Sequence, residues 1–226
     1  SATNSDVSIG GNVTASNGGV NLTSHLGDIS VTGNITKSGV GDITLSAGAG
    51  DGSKGFTLGG TASMTHDNTT DLQVISGGSG NIFSDSFFNQ TFSLNSVNLR
   101  SNGSNDPINI GGDLTTVGNL DIHLNGSDNA LNITGDVTTG GYNYISSHGT
   151  NNNVTIGGDI SSSDYSYIYS NGSSGSITLG GDVTAATSNT VWTNSSATNS
   201  DVSIGGNVTA SNGNLSVESH HSSVSV

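Results

Sequence analysis

The chain has 226 residues, with three cations (Lys37, Lys54 and Arg100) against 17 carboxylates, a net charge of −14 and no cysteine. That balance argues against nucleic acid and anionic membrane surfaces as partners, since both are held through Lys and Arg, and the missing thiol excludes disulfides and thiolate chemistry. No run approaches the roughly 18 apolar residues of a membrane-crossing helix, and no signal peptide opens the chain.

Residues 1–18, SATNSDVSIGGNVTASNG, return letter for letter at 196–213. Continued at the same offset, Val20 meets Leu215, Leu22 meets Val217, Ile29 meets Val224 and Val31 meets Val226. The expected organisation is one block over 1–195 and the start of a second copy over 196–226. In such a window on a longer tandem array, a missing signal peptide says nothing about location.

Inside the block a shorter unit recurs in chain order. It reads VSIGGNVT at 7–14, ISVTGNIT at 29–36, FTLGGTAS at 56–63, INIGGDLT at 108–115, LNITGDVT at 131–138, VTIGGDIS at 154–161, ITLGGDVT at 177–184 and VSIGGNVT at 202–209. Ile110, Ile133, Ile156 and Leu179 are each 23 residues apart, and Ile204 follows after 25. The earlier intervals are 22, 27 and 52, the last equal to two units of about 26.

Units of this length, with short period-2 runs, glycine-rich turns and no helical pattern, predict an all-β chain wound as a parallel β-helix, or β-solenoid, of about eight to nine coils of 22–27 residues. Each coil should carry three short strands. In the 108–122 unit the first points Ile108 and Ile110 inward, a Gly-Gly corner supplies backbone angles closed to other residues, the second buries Leu114 and the third buries Leu120 and Ile122. Steps of 23 from Leu114 and Ile122 give two more aliphatic columns: Val137, Ile160, Val183, and Ile145, Ile168, Val191. The phenylalanines 83, 87, 88 and 92 should fill a wider core in the long interval.

The residue after the glycine corner forms a ladder of Asp113, Asp136, Asp159 and Asp182, with Asn12, Asn34 and Asn207 in other coils. Two readings stand: each carboxylate accepts corner N–H groups in an Asx-turn, or calcium sits between successive carboxylates as a low-weight metal site. No other cofactor is expected. On the outward side of the third strand, Tyr142, Tyr144, Tyr165, Tyr167, Tyr169 and Trp192 fall into columns 23 residues apart, either stacking on one another or forming a contact surface for a sugar ring or another rod. The six histidines show no ligand spacing and are expected at the surface.

No Ser/His/Asp arrangement stands out, and a ladder of equivalent carboxylates suits binding or structure better than one acid/base pair, so no enzyme is expected. Ice binding needs a flat threonine array; Ser161 breaks the column of Thr115, Thr138 and Thr184.

Phrases such as LNITGDVTTGG, ISVTGNITKSGVGDITLSAGAG and VTIGGDISS make the chain resemble, in repeat style, the repeat regions of large secreted bacterial adhesins of the filamentous-haemagglutinin and high-molecular-weight group. The resemblance implies a right-handed β-helix at the cell surface, in an extracellular fibre used for adhesion, cell–cell contact or biofilm matrix. The expected partners are other copies of the chain, by end-to-end or lateral stacking, and surface glycans. The alternative is a carbohydrate-binding or carbohydrate-active β-helix.

Overall fold

The computed structural model describes residues 5–48, 56–58, 64–66, 70–77, 92–194 and 200–226. Every regular element among them is a strand, and every strand pair is parallel to its neighbour one coil away. A complete coil is made of Ile108–Ile110, Leu114–Thr116 and Leu120–Leu124. These are the three strands the sequence pattern calls for. Each is short because its inward positions can reach only one edge of a narrow core.

The pairing fixes the stack. Ile110 faces Ile133, then Ile156, Leu179 and Ile204. Leu114 leads through Val137, Ile160 and Val183 to Val208. Ile122 leads through Ile145, Ile168 and Val191 to Val217. All but Val208 and Val217, which lie near the upper end, are buried. The third strands form one unbroken sheet of nine, from Val20–Ser24 to Leu215–Ser219, which spans about 38 Å at 4.8 Å per strand. The 52-residue interval is two coils, because Val97–Ser101 lies between Leu72–Ser76 and Leu120–Leu124 in that sheet. Phe92 is buried in the core of that region; positions 83, 87 and 88 lie outside the described residues.

The glycine corners work differently from expectation. Among the described glycines, positive φ occurs only at Gly39, Gly41 and Gly48, none of them in a Gly-Gly-Asp corner. The second corner glycine is required for space instead. A Cβ on Gly158 would lie 2.0 Å from Asp136 Oδ1, and one on Gly181 2.0 Å from Asp159 Oδ1. The carboxylate of one coil passes over the glycine of the next. The first corner glycines are crowded as well, by backbone: a Cβ on Gly180 would lie 2.3 Å from Gly157 O, and one on Gly205 2.4 Å from Gly180 O.

The left-handed conformation is used at the opposite corner, by Asn105, Asp128, Asn151 and Ser174, spaced 23 residues apart. Asn and Asp tolerate this region better than other side chains. Next to them run buried polar residues: Asn129 Oδ1 accepts Asp106 N at 2.7 Å, and Asn152 Oδ1 accepts Asn129 N at 2.8 Å. Each amide also donates to a carbonyl, Asn129 to Gly103 and Asn152 to Gly126, both at 2.7 Å. These bonds tie backbone groups of the corner in one coil to side chains of the next.

Two further departures lie inside the solenoid. The inward column that is aliphatic at Val20, Ile43, Leu72, Val97 and Leu120 turns polar at Asn143, Ser166 and Asn189, all buried. The Asn143 amide donates to Ser166 Oγ at 3.2 Å, and the Asn189 amide to Val183 O at 3.0 Å. Lys37, whose stem fills an inward position of Ile35–Lys37, is buried with its ammonium on the carbonyls of Ser38 and Gly39.

Candidate functional site

The outer face of the nine-stranded sheet gathers the chemistry of the chain. Its outward positions change along the axis. Small polar residues (Asn21 and Thr23, Thr44 and Ser46) give way to Asn98 and Arg100, then Asp121 and His123, then Tyr144 and Ser146, then Tyr167 and Tyr169, then Thr190 and Trp192. Alternation along each strand brings these side chains to one surface, and parallel stacking places equivalents directly above one another.

The six aromatic residues named from the sequence form one cluster on this face. Tyr142 stacks on Tyr165 at 5.1 Å between centroids, Tyr144 on Tyr167 at 5.5 Å and Tyr169 on Trp192 at 5.4 Å, all within 12° of parallel. Edge contacts from Tyr144, Tyr167 and His148 close around Tyr169. Tyr169 is only 8% exposed, which corrects its placement on an open contact surface; its neighbours cover it while remaining half-exposed themselves. Its hydroxyl lies 3.1 Å from that of Tyr144 and 2.8 Å from His148 Nε2. Burial, then the Tyr144 bond, raises its pKa well above that of a free phenol. Trp192 Nε1 donates to Tyr167 Oη at 2.9 Å. The rings therefore stabilise one another, and the outer five keep part of their surface open to solvent.

Below the aromatics the structure builds a Ser/His/Asp constellation that the sequence pattern does not announce. His123 Nδ1 lies 2.8 Å from Ser146 Oγ, and its Nε2 3.3 Å from Asp121 Oδ1. Burial, seconded by the Arg100 guanidinium, holds the imidazole below the usual histidine value, while Asp121 pulls the other way. His123 is half-buried and engaged, so the expectation of a plain surface histidine is corrected. Ser146 is fully buried beneath the ring it contacts. Asp121 also accepts the Tyr142 hydroxyl at 3.1 Å. Desolvation, together with that carboxylate, raises the pKa of both Tyr142 and Tyr165.

Asp121 and Tyr142 form one end of a groove of ≈ 310 Å³ that runs along the axis past Asn98, Gln73, Asp71 and Asp42. Asp71 Oδ1 accepts the Asn95 amide at 2.7 Å. The groove offers carboxylates and amides at coil spacing and ends against the stacked tyrosines. Its lining comes from five different coils, and no constant period locates it, because Ile43 pairs with Leu72 and Leu72 with Val97 before the step settles at Val97 to Leu120.

The aspartate ladder lies elsewhere, along the glycine corners. Asp113 Oδ1 accepts Asp136 N at 3.0 Å, Asp136 Oδ1 accepts Asp159 N at 2.8 Å, and Asp159 Oδ1 accepts Asp182 N at 2.8 Å. Asp182 Oδ1 then accepts Asn207 N at 2.7 Å, as Asn12 Oδ1 accepts Asn34 N at 2.9 Å. The expected turn within one coil is thus a bond between coils, each carboxylate neutralised in part by the next N–H. Among the described residues no group of three or more His, Asp or Glu is placed to hold a metal ion. No protein-family model, curated protein or solved structure matches the chain.

Proposed function

We propose that the chain is a non-catalytic structural and adhesive segment of an extracellular surface fibre. Stacked coils make it stiff, and the aromatic and carboxylate face of the long sheet is its contact surface. The carrying observation is the single sheet of nine parallel strands in continuous register. Such a stack bonds along its axis through backbone groups and aliphatic columns, and each coil depends only on its neighbours, which is the mechanics of an extendable rod. Cell-surface or matrix location belongs to the same reading, supported by repeat style, as do the chain's own copies as partners.

The groove favours a carbohydrate-binding role within that reading. Sugar rings lay their apolar faces on aromatic rings and their hydroxyls on carboxylates and amides. Tyr142, stacked beside Asp121 at the groove's end, supplies both.

Electron microscopy and fibre diffraction of the assembled material test the rod: an axial spacing of about 4.8 Å is expected, and round particles lacking it would refute the structural role. Attachment to glycan-coated surfaces tests the contact face. Tyr165→Ala and Trp192→Ala should weaken it several-fold while rods persist, and unchanged attachment would remove the adhesive half of the proposal.

A further inference from the structure

The groove along the long sheet carries charge of one sign. Asp42, Asp71 and Asp121 line it, and among the described residues no Lys, Arg or His does. Its other polar walls are hydroxyls and amides, among them Thr44, Gln73 and Asn98. In the nine strands of the sheet the one Lys or Arg is Arg100, which stands a column further across with its Nε on Asn98 Oδ1 at 3.0 Å.

Parallel stacking spaces the carboxylates along the axis. Asp42 and Asp71 lie in consecutive coils and Asp121 two coils beyond, so the three span about 14 Å at 4.8 Å per coil. Internal bonds orient them. Asp42 Oδ1 accepts Asp71 N at 3.3 Å, Asp71 Oδ1 the Asn95 amide at 2.7 Å, and Asp121 Oδ2 the Tyr142 hydroxyl at 3.1 Å. An ionised carboxylate has about four acceptor positions, so each keeps capacity for a donor in the groove. Beyond Asp121 the groove meets the half-exposed Tyr142, whose one stacking partner among the described residues is Tyr165. The end wall is thus a flat apolar ring with a carboxylate bonded to its hydroxyl.

We propose that this groove binds a linear amino sugar whose amines are free and protonated, such as a chain of glucosamine units. The inference rests on the carbohydrate reading above and specifies the charge of the ligand. Ammonium groups donate to the three aspartates, hydroxyls exchange bonds with the amides between them, and the apolar face of one ring lies on Tyr142, where a nearby ammonium also gains from the ring's electrons. The same walls reject uronic acids, whose carboxylates would be forced against those of the protein.

A basic peptide shares the charge but lacks a way to dock its backbone. The floor strands Ile43–Ala47, Leu72–Ser76, Val97–Ser101 and Leu120–Leu124 are each paired on both sides, so none has a free edge for a peptide strand. Side-chain amides and hydroxyls at coil spacing suit a ligand with hydroxyls along its whole length.

Calorimetric titration of the full chain with hexasaccharides tests the charge. A glucosamine oligomer should bind about ten-fold or more tightly than its N-acetylated form, which keeps the shape and loses the charge, and a glucuronic acid oligomer should not bind. Asp71→Asn and Asp121→Asn should each weaken the glucosamine oligomer by about ten-fold. Asn119, whose Oδ1 accepts Tyr142 N at 3.2 Å, shows that an amide is accommodated on this groove wall. Asp136→Asn and Asp159→Asn, on the corner ladder, should change binding by no more than about two-fold. Equal affinity for the free and N-acetylated oligomers, both lost in Tyr142→Ala, overturns the charge inference and leaves a sugar-binding face standing. Equal losses in the groove and ladder variants also overturn it, because attraction to the net charge then accounts for binding. Hexalysine binding as tightly, with the same dependence on Asp71 and Asp121, overturns the sugar in favour of a basic peptide. If none of the three oligosaccharides binds, the carbohydrate reading falls with the inference.

Discussion

The explanation of the glycine corners makes opposite predictions for two glycines in identical sequence. Gly11 and Gly206 both sit in DVSIGGNVTASNG, so backbone propensity and chain neighbours are the same. A Cβ on Gly11 would meet nothing within 4 Å, whereas one on Gly206 would lie 2.3 Å from Asp182 Oδ1 and 2.7 Å from the backbone of Gly181 and Asp182. In Gly206→Ala the carboxylate must swing away, breaking its 2.7 Å bond to Asn207 N, a charge-assisted bond of about 1.5 kcal/mol or more. The remaining backbone contact forces the coils apart, which for overpacking costs about 1–3 kcal/mol. The sum is about 3 kcal/mol, or roughly 150-fold in an opening equilibrium. Since solenoids open coil by coil, a global melt dilutes the effect, and amide exchange followed by mass spectrometry over 202–219 is the suitable assay. At concentrations where the chain is monomeric, Gly206→Ala should speed exchange there by about two orders of magnitude, while Gly11→Ala leaves exchange over 7–24 within a few-fold. Equal effects at both positions would show that the corner needs glycine for its backbone angles and would refute the steric account.

Ile156→Ala should cost about 2–5 kcal/mol in urea unfolding, because the side chain is fully buried between Ile133 and Leu179 and the strands on either side hold the cavity open; a loss under 1 kcal/mol would mean that the column repacks. Folding lowers the His123 value, so at acid pH the unfolded chain binds the extra proton more readily. The stabilisation is complete above the unfolded value of about 6.5 and is lost as pH falls through the lower folded one. The melting temperature should therefore drop between neutral pH and pH 5, less so in His123→Gln, and a profile identical in the two proteins would remove His123 as the cause. Millimolar calcium should leave the melting temperature unchanged relative to chelator, because each ladder carboxylate is already bonded to the next N–H; a rise of several degrees that Asp136→Asn and Asp159→Asn abolish would place the ion on the ladder.

The winding of the chain was legible in the sequence. Alternation of apolar residues gives the inward face of each strand, and steps of 23 give the stacking partner, so the Ile110, Leu114 and Ile122 columns follow from pattern alone. The same step from Leu120 reaches Asn143, Ser166 and Asn189, where polarity argues for the outside, yet geometry requires the interior because the neighbouring Ile122 column fixes the strand's phase. The candidate face was legible as aromatic columns but not as a network. Whether Tyr169 is covered, or whether Ser146 reaches His123, depends on how side chains from adjacent coils lean over one another.

Sequence by itself determined which residues share a rung and which edge of each strand is apolar, because period and alternation are properties of the chain read in order. Only the tertiary structure decided what those rungs do to each other. It turned the corner aspartate outward along the axis to bond the next coil, made the second corner glycine a matter of room, and buried one tyrosine among its own neighbours. Most of these are contacts between residues about one coil apart in sequence and one strand apart in space. Their geometry is set by the stacked backbone, which no single coil contains.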